Sequence, residues 1–76
     1  MYEGRYLVLG MNKREEIGLI IAANRKACGL TQKELSELSG VTAQNITKIE
    51  HGRYNLSVDI LEKVCAPLGL KIKVEL

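Results

Sequence analysis

Residues Thr31 to Gly52 read TQKELSELSGVTAQNITKIEHG. Apolar residues recur at Leu35, Ile46 and Ile49, small or turn-forming residues stand at Ser36 and Gly40, and Val41-Thr42 leads into a second run. The spacing predicts two short helices joined by a tight glycine turn. Leu35 from the first helix and Ile46 and Ile49 from the second would fill the wedge where they cross. Ser36 is small because the second helix must pass close by. Gly40 can take the left-handed backbone that ends the first helix. Thr31 caps a helix from Gln32 to Ser39, with Glu34 completing Thr-x-x-Glu. Thr42 caps the next, from Ala43 to His51, which stops at Gly52.

The flanks extend this pattern. Tyr2 to Leu9, YEGRYLVL, is β-branched and aromatic-rich and ends at Gly10, which reads as a short strand. Asn12 offers an N-cap oxygen with Glu15 three residues on, so a helix is expected over Lys13 to Ala27 with Ile17, Ile20 and Ile21 inward and Gly29 as its stop. After the central pair, Ser57 caps a helix from Val58 to about Leu68, burying Leu61, Val64, Cys65 and Leu68. Pro67 lacks a backbone donor and should distort or shorten its last turn. Beyond Gly69 the tail alternates strictly, with Leu70, Ile72, Val74 and Leu76 on one face and Lys71, Lys73 and Glu75 on the other. That period of two is a half-buried strand.

Composition narrows the function classes. Seventy-six residues suit one domain spanning 1–76, and with no Phe or Trp its limited core must come from Leu, Ile and Val. No run approaches the ~20 apolar residues that span a bilayer, and no secretory leader is recognisable, so a cytoplasmic protein is expected. Cys28 and Cys65 make no disulfide framework. Cys28, His51 and Cys65 match no closed zinc pattern, so no metal and no cofactor are expected. Cys65 reads as a core residue and Cys28 as the end of the first helix. His51, at a helix C-terminus, suits the helix dipole or a phosphate better than catalysis. Without a nucleophile elbow, a phosphate-binding glycine loop or paired carboxylates, no enzyme is expected. A net charge of +2 has the right sign for nucleic acid but is too small to argue alone.

Placement of polar residues carries the functional reading. On the second helix of the pair, Ala43, Gln44, Asn45, Thr47 and Lys48 are not used for packing and would face outward. Gln and Asn can pair bidentately with adenine, Lys donates well to guanine, and an Ala methyl can meet a thymine methyl. A helix presenting these groups after a tight turn is a helix-turn-helix arrangement, whose second helix enters the DNA major groove. Thr42, at its cap, belongs to the same DNA-binding set. Gln32 opens the preceding helix, where free N–H groups favour a phosphate. Arg53, Tyr54 and Asn55 follow the second helix, in position for phosphates or the minor groove, with Arg53 best suited because its planar fork fits phosphate. Tyr54 can equally cover the core. RNA fits less well, since the deep, narrow A-form major groove excludes such a helix.

From Ile17 to about Leu70 the chain resembles the phage repressor and Cro-like XRE family. The resemblance is carried by Arg25, Gly29-Leu30-Thr31-Gln32, Glu34-Leu35, Gly40-Val41-Thr42, Ile46, Ile49-Glu50 and Gly52. Ser36 stands where the family usually has Ala, and Ser39 is more polar than in many members. The resemblance implies a mainly α, four-to-five-helix repressor-like DNA-binding domain, with the terminal strands (about 2–9 and 70–76) expected to form a small antiparallel ribbon. It implies that Gln32 contacts the DNA backbone and braces the recognition helix, and that an Arg25–Glu50 pair ties the first helix to that helix. It also implies a homodimeric repressor reading a near-palindromic operator through residues 43–51. The last helix followed by LGLKIKVEL is similar to the HipB-like antitoxin subgroup. That likeness implies subunits joined through Leu70, Ile72, Val74 and Leu76, and an alternative role: neutralising a toxin protein, for example a HipA-like kinase, while repressing its own operon.

Overall fold

Among the described residues, three helices begin at a hydroxyl that captures a backbone N–H. Thr31 Oγ1 accepts from Glu34 N at 3.0 Å while Glu34 Oε1 accepts from Thr31 N at 2.9 Å. Thr42 Oγ1 and Ser57 Oγ accept from Asn45 N and Ile60 N, each at 3.2 Å. Each cap is worth about 1 kcal/mol and sets where its helix starts. The computed structural model describes residues 5–9 and 14–74, with side chains described from Arg14 to Lys73. The elements are β1 (Arg5–Leu9), α1 (Arg14–Ala27), α2 (Gln32–Ser39), α3 (Ala43–Glu50), α4 (Val58–Cys65), a 3-10 turn (Ala66–Leu68) and β2 (Leu70–Val74). The expected cap at Asn12, the start at Lys13, and strand residues 2–4 and 75–76 lie outside the described residues.

The turn between α2 and α3 is built as the sequence suggests, with one addition. Gly40 has φ 77° and its N–H donates to Ser36 O. Ser39 Oγ accepts from Val41 N at 3.1 Å, so the polar residue at that position ties the turn together. The proline effect is equally concrete. Pro67 cannot donate to a carbonyl four residues back, so α4 stops at Cys65, short of the expected Leu68, and the chain tightens into the 3-10 turn. His51 caps α3 and is not its last helical residue.

Every helix contributes to one buried cluster. Ile17 and Ile21 of α1, Leu35 of α2, Ile46 and Ile49 of α3, and Leu61, Val64 and Cys65 of α4 meet Val41, Leu68 and Leu70. Ile20, expected inside, is half-buried against that cluster. Cys28 lies just beyond α1 and is exposed.

β1 and β2 pair in parallel, Arg5 opposite Leu70 and Leu9 opposite Val74, which corrects the expected antiparallel ribbon. Two strands joined by a short turn must run antiparallel, but these are separated by four helices. A crossover of a dozen residues or more removes the hairpin constraint and lets both strands run the same way. Within β2 the alternation holds where side chains are described. Leu70 is 4% exposed and Ile72 packs on the core, while Lys71 and Lys73 face out. The side chains of Val74 and Leu76 lie outside the described residues.

Candidate nucleic-acid interface

The inner side of α3 is held by a chain of polar bonds. Arg25 Nε donates to Glu50 Oε2 at 2.7 Å and Nη2 to Oε1 at 3.1 Å, while Nη1 donates to Leu30 O at 2.8 Å. Both residues are 9% exposed. The hydrogen bond to Glu50 holds the Arg25 guanidinium above its ordinary value, against a smaller opposing effect of burial. Glu50 is the last residue of α3, where the helix dipole disfavours a carboxylate, so Arg25 compensates that end electrostatically.

Gln32 extends the chain. Its Nε2 donates to Glu50 Oε1 at 2.9 Å, and its Oε1 accepts from Thr47 Oγ1 at 2.9 Å. A carboxylate only accepts and a hydroxyl can donate, so the network dictates which way the amide points. Arg25, Glu50, Gln32 and Thr47 therefore link α1, the first turn of α2 and the middle of α3. Among the described residues, every buried side-chain nitrogen or oxygen has a partner.

A backbone contact adds to this brace, at a position the sequence reading passed over. A Cβ on Gly18 would lie 2.4 Å from Ile49 O and 2.7 Å from Glu50 O, so α1 crosses directly over the carbonyl end of α3. The available signal was a glycine amid the apolar stripe of an amphipathic helix, which often marks close approach.

On the outer side the expected residues separate. Thr42, Gln44, Lys48, Arg53 and Asn55 are exposed, while Ala43 and Asn45 are half-buried. Gln44 and Lys48 stand one turn apart on one face. Thr47 is half-buried, with its hydroxyl directed at Gln32 Oε1 and Ala43 O. It faces the brace more than the solvent. Tyr54 packs against the core, and Asn55 Oδ1 accepts from Arg14 Nη2 at 3.5 Å.

Arg53 is positioned by the end of α3. Gly52, at φ 72°, donates to Ile49 O at 3.1 Å, and Arg53 N donates to Lys48 O at 2.8 Å. This is a Schellman closure, which folds Arg53 back beside Lys48. A Cβ on Gly52 would also lie 2.9 Å from Glu15 Cα, so α1 closes over the turn. Among the described residues, no group of three or more His, Cys, Asp or Glu could hold a metal, and no helix is long and apolar enough to cross a membrane.

Comparison with known proteins matches this architecture. A family model described as helix-turn-helix covers residues 21–74. An HTH-type transcriptional regulator from Methanothermobacter thermautotrophicus is 44% identical over 50 residues, taking in 66% of this chain and 72% of the relative. The clp gene regulator ClgR from Corynebacterium glutamicum has a TM-score of 0.73 at 34% identity, over 76% of this chain and 62% of that chain. The master regulator for biofilm formation SinR, solved in complex with DNA, has a TM-score of 0.68 at 38% identity, over 72% of this chain and 89% of that one. With its glycine turn, braced second helix and matching family model, the chain belongs to the XRE-type helix-turn-helix family.

Proposed function

We propose that this chain is a sequence-specific DNA-binding transcription regulator, acting as a dimeric repressor that reads a near-palindromic operator through residues 43–51. One observation carries the reading: α3 is braced on its inner face and presents an exposed polar row on its outer face. A helix held this way can enter the major groove without losing its orientation. Gln44 and the exposed edge of Asn45 suit adenine, Lys48 suits guanine, and Ala43 suits a thymine methyl. Thr42 accepts from Asn45 N through its oxygen and keeps its own hydrogen for a phosphate. Gln32 keeps one amide hydrogen at the start of α2, and Arg53 supplies a guanidinium. Thr47 serves the brace. SinR, a relative in fold, is solved in complex with DNA, and the same use is proposed here.

One domain of this size touches few bases, so two copies would dock on successive major-groove faces about 34 Å apart. The β1–β2 ribbon uses one edge of each strand, and addition of a second copy at a remaining edge is the proposed route to the dimer. The antitoxin alternative rests on the same terminal strand, and a kinase-like reading frame beside the gene is its test. The DNA-binding reading is tested by selecting preferred duplexes in vitro at defined salt. Gln44→Ala should then lose about 1–3 kcal/mol on the selected site and little on random DNA. Equal losses on both would overturn the assignment of α3 as the reading helix.

A further inference from the structure

A cleft of about 320 Å³ opens at the C-terminal end of α3, lined by Thr47, Lys48, His51 and Arg53. Its geometry follows from the Schellman closure, which sets Arg53 beside Lys48 and leaves His51 between them in sequence. His51 is anchored in a defined way. Its Nδ1 lies 2.7 Å from Thr47 O, a carbonyl that can only accept, so Nδ1 carries the hydrogen. In the neutral ring Nε2 then holds a lone pair, which would repel a phosphate oxygen. Only the protonated ring donates from Nε2.

We propose that this cleft takes one DNA backbone phosphate, held by Arg53 and the protonated ring of His51, with Lys48 at the cleft's rim left to reach a base, so that DNA binding draws one proton from solvent onto His51 Nε2. The inference rests on the DNA-binding reading and adds a regulated ligand to it. Imidazole is the side chain that changes charge between about pH 5 and pH 8, so the linkage falls in an accessible range. Lys48 of α3 and Arg53 of the following loop bring two positive charges to the cleft. From α1, Glu15 lies against Gly52 and Arg14 bonds Asn55. Glu50 is engaged by Arg25 and Gln32, and the group that reaches Thr47 from α2 is the uncharged Gln32. An incoming phosphate meets the same unfavourable helix end as Glu50, and the positive charges of Lys48, Arg53 and the protonated His51 offset it.

The chain contains a single histidine, so comparison with His51→Gln separates its proton uptake from that of an α-amino group, which also titrates near neutrality. Affinity of the full chain for a duplex of random sequence and for a selected duplex is measured between about pH 6 and pH 8 at constant salt. Wild type should weaken by roughly fivefold to tenfold as pH rises through this window on both duplexes, since a phosphate carries no base identity. His51→Gln should bind with a flat profile and an unchanged circular-dichroism spectrum. Nitrogen-15 spectra of the ring in free wild type should show the hydrogen on Nδ1 in the neutral form. A flat wild-type profile, an equal slope in His51→Gln, or a hydrogen on Nε2 overturns the inference while leaving DNA binding intact. Absence of binding to any duplex at every pH overturns the DNA-binding reading and this inference with it.

Discussion

The helix pair and the terminal ribbon are built on opposite principles. In the pair, caps, turn and wedge residues come from 22 consecutive positions, and among the described residues the hydrogen bonds that hold α3 reach upstream to Arg25 and Leu30, beside the backbone crossing at Gly18. In the ribbon, Arg5 meets Leu70 across nearly the whole chain, and its direction depends on where four helices deliver the returning strand. Local bonds can therefore hold α3, the helix proposed to read DNA, while the ribbon depends on distant segments. Perturbations of the two regions should separate accordingly.

The largest effect should come from breaking the brace. Glu50→Gln leaves the Arg25 guanidinium desolvated without its counter-charge, and about 3–5 kcal/mol of stability should be lost in urea unfolding, with weaker DNA binding. The double change Arg25→Met with Glu50→Leu should recover most of that stability while leaving α3 less well oriented. An unchanged melting temperature for Glu50→Gln would show that the pair contributes nothing.

Gly18→Ala tests the backbone crossing next to it. Alanine is intrinsically the better helix former by about 1 kcal/mol, yet its Cβ would collide with two carbonyl oxygens of α3. A net loss of about 1–3 kcal/mol is expected in thermal unfolding. A stabilised variant would mean that α1 does not pack this closely on α3.

The ribbon should respond differently. Removing Lys71 to Leu76 should convert a dimer to a monomer in sedimentation and weaken operator binding far more than it reduces helix content. A wild-type chain that sediments as a monomer at tens of micromolar would remove the dimer from the proposal.

The smallest effect concerns Cys65, buried between the helices and the ribbon. Burial pushes its thiol from an ordinary value of 9.0 to about 11. Between those values the folded state keeps a proton that the unfolded chain releases, so the folded form loses stability as pH rises from 9.0 to about 11. Cys65→Ala should be less stable at neutral pH but lose less on going alkaline. An identical alkaline slope in both proteins would assign the loss to other groups.

Much of this molecule is decided by residues close together in sequence. Caps at Thr31, Thr42 and Ser57 and the left-handed Gly40 act over a few bonds, so these helix starts and the end of α2 were legible, and Pro67 signalled a disturbed last turn although α4 ends at Cys65, short of the expected Leu68. The buried positions of Leu35, Ile46, Ile49 and Val64 follow from periodicity, because a helix has one face to bury. The Arg25–Glu50 pair was legible only through the family resemblance, since no local spacing joins residues on separate helices. Other features arise when distant segments meet in space. Thr47 turns toward Gln32 and away from solvent because α2 begins beside the middle of α3. Gly18 matters because a carbonyl end lies against it, and His51 Nδ1 lies 2.7 Å from Thr47 O in the helix turn that carries it. The ribbon runs parallel for the same kind of reason. An alternating pattern specifies a strand and its two faces, but its direction beside a partner depends on the path of the chain between them.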